Sequence, residues 1–137
     1  MIDWIQEAHK EEDIQKNILS HEDFVHLFEQ EPRLHIRTSS NYLRDMLEYF
    51  GRDENNHFKL FTMDHSDAPP VFGQYFTQDS LYKNISNFLE EGINNKFILL
   101  VGPNGSAKSS FVKKLMKGIE AYSETSEGAL YCFSWIF

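Results

Sequence analysis

Between residues 20 and 51 apolar side chains recur every three or four positions, whereas from residue 96 onward they bunch into short unbroken runs. The first pattern predicts amphipathic helices and the second predicts buried strands. Residues 2–18 extend the helical pattern irregularly, with Ile2, Ile5, Ile14 and Ile18 among the apolar positions. Ser20, with Asp23 three residues on, is a variant capping box opening a helix that carries Phe24, Val25, Leu27 and Phe28. That helix is expected to stop near Pro32. Thr38-Ser39-Ser40 is a second cap cluster. The stripe Tyr42, Leu43, Met46, Leu47 and Phe50 follows, and Gly51 is a natural C′ residue.

Beyond the loop Asp53–Asn56 the period changes. Phe58-Lys59-Leu60-Phe61 predicts a short strand, and Asp64 to Pro70 a turn-rich connection stiffened by Pro69-Pro70. Val71-Phe72-Gly73-Gln74-Tyr75 leads to a helix from Asp79 to Glu91, with Leu81, Ile85, Phe88 and Leu89 on its buried face and Gly92 at its end. Residues 96–101 read as a buried strand, 108–122 as a helix, and 129–137 as a second buried strand.

With 137 residues, the chain suffices for one modest domain with a real core. An aromatic content of 15% is not that of a disordered segment. The net charge of −8 is unevenly placed: residues 1–31 hold nine acids against Lys10 and Lys16. Such a region argues against a nucleic-acid surface, and it reads first as the solvated face of two helices. The single Cys132 excludes an intrachain disulfide and fits a reducing compartment. Lying in an apolar run, it is expected in the core. No basic segment of a signal peptide follows Met1, and no apolar run approaches the ~20 residues of a membrane span. A cytoplasmic protein without membrane contact is expected. The chain closes on Trp135-Ile136-Phe137, a hydrophobic ending that reads as the front part of a longer protein, a natural short protein being the alternative.

The chemistry-bearing segment is Gly102-Pro103-Asn104-Gly105-Ser106-Ala107-Lys108-Ser109. It has the form G-x-x-x-x-G-K-[ST] of a phosphate-binding loop, with Ala107 in place of the second glycine. A predicted strand precedes it and a predicted helix follows, the context in which backbone N–H groups and a helix N-terminus hold phosphate. Lys108 is then the residue that reaches the outer phosphates, Ser109 can hold Mg²⁺, and Ser110 continues the first turn. An ordinary Gly-containing loop is the plain alternative. If Ala107 needs a positive φ, its methyl group costs roughly 1–2 kcal/mol; in helical backbone it costs little, and the expectation is the latter, with Ala107→Gly nearly neutral. Other chemistry is weaker. His21-Glu22 followed by His26 is one residue too long for H-E-x-x-H, which puts the two rings about 140° apart on a helix. Ser109-Ser110 lacks a nucleophile elbow. The stretch from Tyr122 to Tyr131 reads as packing and not as base stacking.

Four segments carry resemblances, three of them, in order, to one family. Val71-Phe72-Gly73-Gln74 before a helix, with Gly102 28 residues after Gln74, looks like the entry segment of AAA+ ATPases, which lies against adenine. Leu34-His35-Ile36-Arg37-Thr38-Ser39-Ser40-Asn41-Tyr42-Leu43-Arg44-Asp45-Met46, the loop Gly102–Ser110 and Tyr122-Ser123-Glu124-Thr125-Ser126-Glu127-Gly128-Ala129-Leu130-Tyr131 resemble the N-terminal region of bacterial PrkA-type serine protein kinases. The resemblance implies an α/β fold: a helical region over 1–57, then over 58–137 the first, incomplete part of an AAA+-like P-loop ATPase domain with a parallel sheet. It implies ATP and Mg²⁺ as cofactors, Gly102 to Ser109 as the phosphate loop, and Phe72, Gly73 and Tyr75 near the adenine. It leaves room for a homo-oligomer and names no protein substrate. An acidic Walker B strand, a sensor residue and a trans-acting arginine are missing from these 137 residues, so nucleotide binding without turnover is expected of them. The alternative from another class is a non-enzymatic interaction domain that holds a partner with its acidic N-terminal helices.

Overall fold

The computed structural model describes residues 18–64, 67–92 and 97–135; the helix expected over 2–18 lies outside them but for Ile18, and Lys96, Ile136 and Phe137 lie outside them too. The chain divides into two compact units, Met1–Ile36 and Arg37–Phe137. In the first, α1 (His21–Gln30) starts at the capping box read from the sequence. Asp23 N–H donates to Ser20 Oγ at 3.1 Å, and Ser20 N–H donates to the Asp23 carboxylate at 3.3 Å. The Ser20 hydroxyl also donates to that carboxylate at 2.6 Å, and this bond first, then the one from Ser20 N–H, holds the Asp23 carboxyl below its ordinary pKa. Pro32 ends this helix and begins α2 (Pro32–His35), because a missing N–H costs nothing at a first helical position. Phe24 and Phe28 both pack on the His35 ring.

The second unit holds α3 (Ser39–Phe50), α4 (Lys59–Thr62), α5 (Tyr75–Glu91) and α6 (Lys108–Ser123). Thr38 Oγ1 caps α3 by accepting the Asn41 N–H at 3.2 Å. Gly51 and Gly92 end α3 and α5 with positive φ. Helix α3 packs on α5 and α6, and α4 on α6. Met46, Leu47, Leu60, Phe61, Ile85, Phe111 and Tyr122 form the core. Each such side chain contributes about 1.5–3 kcal/mol by leaving water. The Phe61 and Phe111 rings stack at 4.6 Å. Lys114 on α6 is fully buried among them. Its ammonium donates to the Met63 carbonyl, and burial pulls its pKa down against the nearby charge of Asp64.

The C-terminal end of α6 is locked by long-range polar contacts. Arg37 donates to the Tyr122 hydroxyl at 2.8 Å, to Asp45 at 3.3 Å and to the Glu127 carbonyl at 2.7 Å. The Tyr122 hydroxyl donates to the Glu127 carboxylate at 3.0 Å, and Tyr42 donates to the Gly128 carbonyl at 2.7 Å. The chain passes so close here that a Cβ on Gly128 would lie 2.0 Å from the Tyr122 carbonyl oxygen.

The parallel sheet expected from the sequence does not form: the structure is helical and without a sheet among the described residues. The α/β reading, with its AAA+-like P-loop sheet, is therefore corrected. An apolar run becomes a strand only where a neighbouring strand takes its backbone N–H and C=O groups in a regular ladder, and among the described residues 97–101 and 129–135 belong to no strand. Phe97, Leu99 and Val101 are 85%, 70% and 84% exposed, while Leu100 between them packs on the core. Trp135 and Cys132 are exposed too, against the core placement expected of the cysteine. Phe58–Phe61 is not a strand either. Leu60 and Phe61 are adjacent and both fully buried. A strand would send them to opposite faces, whereas the helical turn of α4 sinks both. Arg52 and Phe58 instead form an isolated antiparallel bridge. Among the described residues no helix is long and apolar enough to cross a membrane.

Candidate phosphate-binding site

Helix α6 starts without a cap. Ala107 occupies the N-cap position with φ 60° and ψ 18°, and no side chain accepts from the first turn. The first intrahelical bond runs from Phe111 N–H to the Ala107 carbonyl at 2.8 Å. The N–H groups of the preceding turn have no partner within the helix. No acid stands in that turn to neutralise the helix dipole. Ala107 thus adopts the left-handed backbone and not the helical one expected, and its methyl group costs about 1–2 kcal/mol there.

The loop before it folds back on itself. Ser106 N–H donates to the Pro103 carbonyl at 3.3 Å. Gly105 turns the tip with φ 81°. The Lys108 ammonium then lies across the loop: it donates to the Gly102 and Pro103 carbonyls, each at 2.7 Å, and to Ser106 Oγ at 3.0 Å. Gly102 permits this closure, since a Cβ there would stand 2.9 Å from Ser106 Oγ. Strained backbone, a fixed ammonium and free N–H groups gather within seven residues.

These groups border a cavity of about 380 Å³, within the range of small-molecule sites. Gly102, Pro103, Ser106, Ala107 and Lys108 form its loop side, and Leu100, Val101 and Phe111 its apolar side. Gln74 and Thr77 of the α5 start complete the lining. The lining contains one ammonium and no carboxylate, so its electrostatics favour an anion.

The sequence-predicted residues separate here. Asn104 and Gly105 form the exposed tip of the loop. Ser109 is exposed on the first turn of α6, with Ser110 half-buried beside it, and neither lines the cavity. Of the residues expected near adenine, Phe72 is 73% exposed. Gly73 takes a positive φ of 74°. The Tyr75 ring stacks on His57 at 3.5 Å. The cavity takes Gln74 and Thr77 from this segment and none of those three. Sequence reasoning missed both because it began the helix at Asp79 and not Tyr75; with the true start, the i, i+3 spacing places them on one face.

Gln74, like Ala107, is a left-handed N-cap (φ 57°, ψ 21°) without a side-chain cap bond. Gln78, one turn on and 2% exposed, donates its amide N–H to the Gly73 carbonyl at 3.1 Å. Its Oε1 is buried with no hydrogen-bond partner, an arrangement that costs about 1–3 kcal/mol.

Ser109, the residue expected to hold Mg²⁺, is exposed at the start of α6. The described residues hold no group of three His, Cys, Asp or Glu side chains able to bind a metal by themselves. Comparison of the chain with protein-family models, curated proteins and solved structures finds no match.

Proposed function

We propose that residues 102–109 bind the phosphates of ATP, with Mg²⁺ at Ser109, and that the chain is an ATP-binding portion of a PrkA-like serine protein kinase or ATPase. The observation that carries this reading is the Lys108 ammonium, held at 2.7 Å by two loop carbonyls beside an uncapped helix N-terminus and a cavity of about 380 Å³. The ammonium spends its three N–H groups on the loop, so phosphate would replace the Ser106 bond while the two carbonyl bonds keep the side chain in place, and backbone N–H groups of the helix start supply further donors. Two of the three segments that carry the resemblance meet in the fold, through Arg37 and Tyr42 on one side and Tyr122, Glu127 and Gly128 on the other. The 137 residues bind nucleotide in this reading and do not turn it over, since they hold no acidic strand to position water. Mg²⁺, when bound, neutralises phosphate charge; the chain's own part is to hold the phosphates and the ion at the start of α6.

Titration of the full chain with ATP, in Mg²⁺ and in EDTA, tests this. Ser109→Ala is expected to weaken ATP binding about tenfold in Mg²⁺, the loss of one charge-assisted contact of about 1.4 kcal/mol, and to leave binding in EDTA unchanged. Equal losses in both conditions would show that the hydroxyl supports the helix start and not the ion.

A further inference from the structure

We infer that Gln78, which does not line the cavity, is a positioning residue that shapes the nucleoside side of the site through the Gly73–Gln74 turn. The inference rests on the proposal that the cavity takes a nucleotide. Gln74 can face the cavity only while the chain makes an unusual turn, with Gly73 at φ 74° and Gln74 at φ 57° in succession. No cap bond from the Gln74 side chain holds that turn. Besides the backbone bond from Gln78 N–H to the Gln74 carbonyl at 3.0 Å, it is met by the side-chain bond from Gln78 Nε2 to the Gly73 carbonyl. Gln78 is buried at 2% exposure, and its other amide atom, Oε1, is left without a partner. A methionine of the same length would fill the space without stranding an acceptor. What the glutamine adds is one donor, and that donor is spent on the turn.

The Gln74 and Thr77 side chains follow from that turn, with Thr77 Oγ1 donating to Gln74 Oε1 at 3.4 Å. Both line the cavity, while the groups suited to phosphate all lie on the other segment, Gly102 to Lys108. A ligand whose phosphates meet Lys108 therefore presents the rest of its body to Leu100, Val101, Gln74 and Thr77. The turn should matter for a nucleotide and not for a bare polyphosphate.

The test compares MgATP with magnesium tripolyphosphate on the full chain. Gln78→Met is expected to weaken MgATP binding about fivefold and to leave tripolyphosphate binding unchanged. Gln74→Ala, an exposed substitution that leaves the core intact, should give the same selective loss. The double variant should lose no more than about twofold beyond either single one, because both act through one turn. Equal losses for both ligands in Gln78→Met, or unchanged MgATP binding in Gln78→Met or in Gln74→Ala, would overturn the inference. Lys108→Ala separates its failure from failure of the underlying reading. If Lys108→Ala weakens both ligands while the glutamine variants change nothing, the phosphate site stands and the positioning role falls. If Lys108→Ala weakens neither, the nucleotide reading falls and the positioning role with it.

Discussion

In its last turn α6 carries Tyr122, whose hydroxyl, ring and carbonyl are all engaged: by Arg37 and Glu127, by Tyr42, and by Thr125. At its N-terminal end the same helix starts on Ala107, in strained backbone, with no cap and no acid in the first turn. One end gathers partners from three stretches of chain, and the other leaves its donors unspent beside a cavity. Stability and function thus divide along sixteen residues. Where polar groups are paired internally, they fix the fold; in the function proposed above, the unpaired and strained helix end is the part that meets a ligand.

Breaking the locked end should give the largest effect. Gly128→Ala places a methyl group 2.0 Å from the Tyr122 carbonyl oxygen, and the segment after α6 must move to admit it. A destabilisation of about 3 kcal/mol is expected in urea unfolding, and ATP affinity of the folded protein should hold. A loss of affinity as large as the loss of stability would mean that the two ends are not separable.

Tyr122 gives a pH signature of the same lock. Burial, first, and then the bond to the Glu127 carboxylate push its phenol pKa up to about 12, against the opposing influence of Arg37. Below pH 10 the group is protonated in both folded and unfolded chains. Between about pH 10 and 12 the unfolded chain releases the proton while the folded one keeps it, so stability falls as pH rises through this window. Tyr122→Phe should cost about 1 kcal/mol at neutral pH through the lost hydroxyl bonds and make the alkaline fall shallower. Tyr42 and Tyr82, also shifted upward, leave a residual slope. An unchanged alkaline limb in Tyr122→Phe would remove Tyr122 as its source.

The smallest effect belongs to the strained end. Ala107→Gly relieves a left-handed alanine and adds freedom to the unfolded chain, for a net gain of about 0.5–1 kcal/mol. Thermal melting should rise by a few degrees. A lower melting temperature would show that the methyl group packs usefully at φ 60°.

What the sequence made legible is local. The Ser20–Asp23 capping box, the Thr38 cap and the stops at Gly51 and Gly92 each depend on a handful of neighbouring residues, and each is found where the pattern puts it. The loop from Gly102 to Lys108 is legible for the same reason, since the lysine clasp closes within seven residues. Tertiary contacts decided the rest. The start of α5 was read four residues late because its turn is set by Gln74 in left-handed backbone and by Gln78 behind it, a conformation that side-chain pattern does not announce. The apolar runs at 97–101 and 129–135 carry a strand's composition, but strand formation needs a pairing partner that composition alone cannot supply. The Arg37–Tyr122 contact spans 85 positions, beyond any periodicity, and no pattern marks Lys114 as a buried lysine.

The most direct measurement is a MgATP titration of the full chain against Lys108→Ala, with thermal melting of both proteins recorded without ligand. Among the described residues the ammonium bonds to its own exposed loop, so the melting temperatures should agree within a degree or two. ATP affinity should fall by about 1.5–3 kcal/mol, on the order of ten- to a hundredfold, for the loss of a charge-assisted contact to phosphate. Equal affinity of the two proteins for MgATP would contradict the assignment of this helix end to nucleotide phosphate.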